Sequence, residues 1–175
     1  VSAMMKLAER RANSFLLESV EGGSVRGRFS IIGLRPDVIW RFKKKQAEIN
    51  RQARIDPHAF EPCPEDPLTS FRSLLAESEI DLPEGLPPMA SGLFGYMGYD
   101  AVRLEERIPD ENPDDLGVPD GLFLRPTVIC IFDRLEDVVT IVTPVRPSEG
   151  MSAEAAYDAA RTLLSDVLQD FDRNL

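Results

Sequence analysis

Between residues 14 and 53, four strand-like stretches follow one another with only short turns between them: 14–20, 27–34 ("GRFSIIGL"), 37–42 ("DVIWRF") and 47–53 ("AEINRQA"). A turn of a few residues returns a strand antiparallel to its neighbour, because a parallel pair needs a crossover of about a dozen residues or more. Glu21-Gly22-Gly23-Ser24 supplies turn chemistry between the first two, and Pro36 closes the second. Two further strands, 122–133 and 137–143, are joined by "DRLED". Helical spacing occurs in only three places. Residues 1–11 carry Val1, Met4, Met5 and Ala8 on one side. Asp66 as N-cap and Pro67 at the first helical position open a second helix, with Leu68, Phe71, Leu74 and Leu75 at helical period. Ser152 caps the last helix, 152–173, after a Pro144–Pro147 hinge. This order is not the βαβα alternation of a parallel sheet. It predicts one α+β domain, mainly antiparallel sheet flanked by a few helices.

Charge narrows the function. Twenty basic against thirty acidic residues give a net charge of −10. Nucleic acid and anionic membranes both call for positive potential, so neither is an expected partner. The one basic run, Arg41 to Lys45 with Phe42 inside it, reads as a solvated hairpin tip or a local anion contact. No apolar run approaches the roughly 20 residues of a membrane helix. Cys63 and Cys130 lie far apart, and Cys130 sits in the apolar "TVICIF", so a reduced, cytoplasmic protein is the expectation. With His58 as the only histidine, a four-ligand zinc site of close pairs is not available.

Catalytic patterns are missing from the chain. It has no Gly-rich phosphate loop with a Lys-Ser/Thr pair and no G-x-S-x-G elbow. The acidic, Pro-rich stretch 105–120 reads as a solvated loop. In "SGLFGYMGYD" (91–100), Gly92, Gly95 and Gly98 point to close approach by another backbone or by a ligand, or to a tightly curved strand under a helix. The residues describe a domain that binds or regulates.

The charge at the end of the first strand is the feature that points to binding. Glu18 and Ser19 follow the apolar Phe15-Leu16-Leu17. A carboxylate and a hydroxyl there can receive an ammonium group. Arg28 on the next strand can answer a ligand carboxylate, and Leu17 and Ile31 can wall a side chain. In a regular strand Glu18 and Ser19 face opposite ways, so both reach one ligand only where the strand bends. A Glu18–Arg28 cross-strand ion pair with an incidental serine explains the same residues.

Three runs, "SFLLESVEGG…GRFSIIGLRP", "GLFGYMGYDAVRLEE" and "VICIFDRLEDVVTIVTPV", resemble in order the N-terminal region of anthranilate synthase component I, of the chorismate-utilising family. The resemblance runs from about residue 4 to about residue 145. It implies a parent enzyme that converts chorismate and glutamine to anthranilate, pyruvate and glutamate, with Mg²⁺ bound in a C-terminal domain absent from this chain. It implies a glutamine amidotransferase partner subunit, an oligomer, and feedback inhibition by tryptophan. The family's LLES motif lines the tryptophan site. Carried over, it gives Leu17, Glu18 and Ser19, with Arg28 at the basic position that follows. The fold implied is part of a larger two-sheet sandwich, so apolar surface on the last helix and on Gly92–Tyr99 is expected to be exposed. No catalytic and no metal residue is expected in this part, which alone is expected to be inactive. Because the family's tryptophan pocket is completed by the absent part, this chain alone is also expected to bind tryptophan weakly or not at all. Aminodeoxychorismate synthase component I, of the same superfamily, and a free-standing amino-acid-binding or interaction module are the alternatives.

Overall fold

A computed structural model describes residues 1–8, 12–20, 26–111, 113–146 and 150–174. The architecture is α+β, with antiparallel sheets and flanking helices, as the strand order predicts. The chain divides into two compact units, each built on one sheet.

The first unit holds Val1–Pro36, Ile80–Ser91 and Pro126–Leu175. Its sheet is four-stranded, in the order β1 (Phe15–Val20), β2 (Arg26–Leu34), β8 (Val128–Asp133), β9 (Val138–Val142), every pair antiparallel. Helices α1 (Ser2–Ala8) and α3 (Ala153–Asp172) cover one face. Alternation sends Leu16, Ile32, Leu34, Val128, Cys130 and Phe132 to that face, where they pack with Leu7, Leu163 and Val167. Ser152 caps α3, its Oγ accepting from the Ala155 N–H at 3.1 Å. The rest of the expected first helix (9–11), the turn 21–24 and Pro147 lie outside the described residues.

The second unit holds Asp37–Glu79 and Gly92–Arg125. Its five-stranded sheet runs β5 (Glu61–Pro62), β4 (Gln46–Asn50), β3 (Val38–Lys43), β7 (Gly121–Arg125), β6 (Phe94–Met97). Helix α2 (Pro67–Ser78) starts as expected, with Asp66 accepting from the N–H groups of Leu68 and Thr69. Trp40 is the centre of the core, packed with Val38, Phe42 and Leu74, and its indole N–H donates to Ser70 Oγ at 3.1 Å. Buried Arg125 forks onto Asp37 through two 2.9 Å bonds and reaches Glu77 at 3.1 Å.

Two expectations are corrected or resolved here. The apolar run 122–133 is not one strand. It breaks at Pro126, and its halves, β7 and β8, pair in different sheets. Proline has no N–H to give a ladder, so pairing stops there. In β6 the close approach is to backbone: a Cβ on Gly95 would stand 1.9 Å from the Leu122 carbonyl oxygen. Tyr96, Met97 and Tyr99 are exposed, as are Tyr157 and Leu168 of α3. No helix among the described residues is long and apolar enough to cross a membrane.

Candidate functional site

The site sits where β1 and β2 lose regular register. Leu16↔Ile32, Leu17↔Ile31 and Glu18↔Ser30 are paired, and then the register shifts between Glu18 and Val20. An irregularity of this kind bends a strand and re-aims its side chains. It is the bend that Glu18 and Ser19 require to share one site. Both residues line a concavity of about 440 Å³, with Leu17, Arg28, Phe29, Ile31 and Met89. That volume lies within the usual range for small-molecule pockets. All four residues proposed from the motif (Leu17, Glu18, Ser19 and Arg28) therefore border one space. Leu17 is half exposed, so the concavity is an open one.

Sequence reading missed three of the determinants. Gly27 is one: a Cβ there would lie 2.0 Å from Ser19 Oγ and 2.3 Å from Ser19 Cβ, so the glycine makes room for the serine. Met89, in the short 3₁₀ turn Pro88–Ala90, adds an apolar wall. The third is the junction of β8 with the turn that follows it, where consecutive residues Asp133 and Arg134 hold the two charged site residues. Arg28 gives Nε and Nη2 to the Asp133 carboxylate at 2.9 and 2.6 Å. That hydrogen bonding holds Asp133 below the usual carboxylate range and raises Arg28 above its own. The Arg28 guanidinium also lies 4.9 Å from the Phe29 ring centre. Glu18 pairs with Arg134 at 3.5 Å, and the same Arg134 Nη2 donates to Ser30 Oγ at 3.0 Å. The Glu18–Arg28 ion pair is thus not formed; each partner is held by the other hairpin. "DRLED" was visible as a turn, but no local pattern links it to residues more than 100 positions earlier.

The chemistry available is recognition. A carboxylate, a hydroxyl, a guanidinium and apolar walls can receive an amino acid. His58, the one histidine, is not among the residues that line this space. Among the described residues no three His, Cys, Asp or Glu side chains are placed to hold a metal ion. The described residues do not fit the Mg²⁺ that the resemblance implies. A larger cavity of about 760 Å³ lies beneath the acidic loop of the second unit. Several of its charges are paired within the unit: Lys43 with Asp114, Lys44 with Asp110 at 3.5 Å and Arg103 with Asp100 at 2.8 Å. The basic hairpin tip therefore meets this chain's own acidic loop.

No family model matches the chain. It is 50% identical over 173 residues to anthranilate synthase component 1 of Cereibacter sphaeroides, covering 99% of this chain and 35% of the relative. It is 39% identical over 161 residues to the protein of the same name from Thermus thermophilus, covering 92% and 33%. The chain thus spans about a third of the length of the relatives it matches. The crystal structure of anthranilate synthase component I from Streptococcus pneumoniae superposes with a TM-score of 0.62 at 23% identity, over 93% of this chain and 34% of that one. This likeness speaks for the fold.

Proposed function

Because the chain matches the anthranilate synthase component I family along that family's N-terminal third, we propose that it is the regulatory part of such an enzyme and that its Glu18–Ser19 concavity forms part of a tryptophan site. The parent activity in this reading is the formation of anthranilate and pyruvate from chorismate, with ammonia from a glutamine amidotransferase subunit. Chorismate and Mg²⁺ are assigned to chain outside these 175 residues, and the present chain is assigned no catalytic step. The observation that carries the regulatory reading is that Leu17, Glu18, Ser19 and Arg28 all border one concavity.

Recognition follows from the groups present. The ligand ammonium is received by the Glu18 carboxylate in a charge-assisted bond, with the Ser19 hydroxyl beside it. Leu17, Ile31 and Met89 receive the apolar ring. Arg28 stands at the rim but is chelated by Asp133, so a ligand carboxylate would share its guanidinium.

The test is thermal unfolding with and without L-tryptophan, with Ser19→Ala as the control. Ligand at about a hundred times its Kd adds roughly 2.7 kcal/mol. At about 2–4 °C per kcal/mol for a chain of this size, the melting temperature rises by about 5–10 °C. A rise specific to tryptophan and lost in Ser19→Ala supports the reading. An unchanged melting temperature in the chain and in its full-length parent refutes it.

A further inference from the structure

We propose that Arg134 is a positioning residue that holds Glu18 in a self-paired state, from which an incoming ammonium group must draw it; this rests on the amino-acid reading of the concavity. Glu18 borders two spaces. By alternation it shares a strand face with Leu16 and lies opposite Ser30. On that side it lines a small cavity of about 230 Å³ together with Ser30, Asp133, Arg134 and Asp137. At the register shift it also borders the open concavity with Ser19. In this structure its carboxylate is drawn toward Arg134, at 3.5 Å.

Arg134 is not a free surface side chain. Its backbone N–H donates to the Arg28 carbonyl at 3.0 Å, and its guanidinium is tied to Ser30 Oγ at 3.0 Å. Ser30 is buried, so that anchor is fixed in the sheet. Asp133 closes the turn by accepting from the N–H groups of Leu135 and Glu136, at 3.0 and 3.3 Å. The cation is therefore set in place by two elements, and the movable partner is Glu18. The Glu18–Arg134 contact is longer than the Ser30 contact, and both of its side chains are more than a third exposed. A pair of this kind is weak. Weakness is what the role requires, because a tight pair would keep Glu18 from any ligand. The guanidinium also repels a second cation close to Glu18, which acts in the same direction.

Arg134→Gln removes the competing charge and keeps a donor for Ser30. It is expected to tighten L-tryptophan binding about 1.5- to fivefold, with the gain shrinking as salt is added. 3-Indolepropionate, which lacks the ammonium group, is expected to bind both forms equally. The experiment is calorimetric titration of the wild-type chain and Arg134→Gln with each compound. It is paired with a double-mutant cycle of thermal stability using Glu18→Gln. Tightening confined to the amine, with non-additivity in the cycle, is the expected result. Equal tryptophan affinity in the two forms, a change shared by 3-indolepropionate, or an additive cycle overturns the role of Arg134 while leaving the site reading in place. Titrations silent for both forms, with the cycle still non-additive, overturn the site reading and this role with it.

Discussion

Gly27→Ala is the substitution that most directly questions how the site is built. An added Cβ would meet Ser19 Oγ at 2.0 Å, Ser19 Cβ at 2.3 Å and the Ser19 carbonyl carbon at 2.8 Å. Carbon atoms in contact settle at about 3.5–4.0 Å, so Ser19 or the two strands must move by more than 1 Å. Overpacking of this order costs about 1–3 kcal/mol, which for a chain of this length lowers the melting temperature by about 2–12 °C. Ser19→Gly removes the side-chain half of the clash. Alone it destabilises by about 0.5–1 kcal/mol, the cost of glycine inside a strand. Combined with Gly27→Ala it should restore most of the loss. The double variant should be no less stable than Gly27→Ala, a coupling of at least about 0.5 kcal/mol. Thermal unfolding of the four proteins by circular dichroism measures this. A Gly27→Ala chain as stable as the wild type, or strict additivity in the double, would refute the account of the bend.

Other outcomes follow from the same structure. Arg125→Met removes the cation that forks onto Asp37, while Glu77 stays on Arg51, and should destabilise the chain by about 1.5–3 kcal/mol, the range for hydrogen bonds to charged groups. Arg125→Lys should recover only part of it, because an ammonium cannot reproduce the fork; urea unfolding compares the two. Burial pushes the Cys130 thiol up to about 12, so in native protein at pH 8 a thiol reagent should modify the half-buried Cys63 and spare Cys130 until denaturant is added. Asp66 (through Thr69), Glu77 (through Arg51), Asp114 (through Lys43) and Asp133 (through Arg28) are all held below the usual carboxylate range by these hydrogen bonds. The unfolded chain then binds protons more readily than the folded one. Stability should be full above the ordinary carboxylate range, about pH 4, and be lost as pH falls through the lowered values. In Arg28→Gln the part of this loss belonging to Asp133 should shrink to what the Leu135 and Glu136 N–H groups maintain, as seen in melting temperatures between about pH 6 and 3.

Much of the fold was legible because it is local. Asp66-Pro67 and Ser152 announce helix starts through backbone N–H groups two or three residues away, and the structure keeps both caps. The hairpins β1–β2 and β3–β4 follow from alternation and turn length. The break at Pro126 was hidden because "GLFLR" and "VICIF" are equally apolar. Only the missing N–H of one residue and the partner strands β3 and β2 separate them. The site was legible in half. Glu18 and Ser19 stand out as a charge and a hydroxyl closing an apolar strand. Their partners do not, because Asp133 and Arg134 approach through sheet pairing of β2 with β8, which no short-range pattern encodes. The Glu18–Arg28 pair suggested by nearness in sequence gave way to them. Gly27 carries no mark of its own in the sequence; its role comes from the Ser19 side chain that lies against it.

The central claim is that the Glu18–Ser19 concavity receives tryptophan, and a titration of the ¹⁵N-labelled chain with L-tryptophan followed by amide shifts tests it most directly. The account predicts shifts concentrated at residues 17–19, 28–31 and 89, with the amides of Lys43–Lys45 and Tyr96–Tyr99 unmoved and the pattern lost in Ser19→Ala. Shifts centred on the cavity beneath the acidic loop, or shifts that persist unchanged in Ser19→Ala, would contradict it.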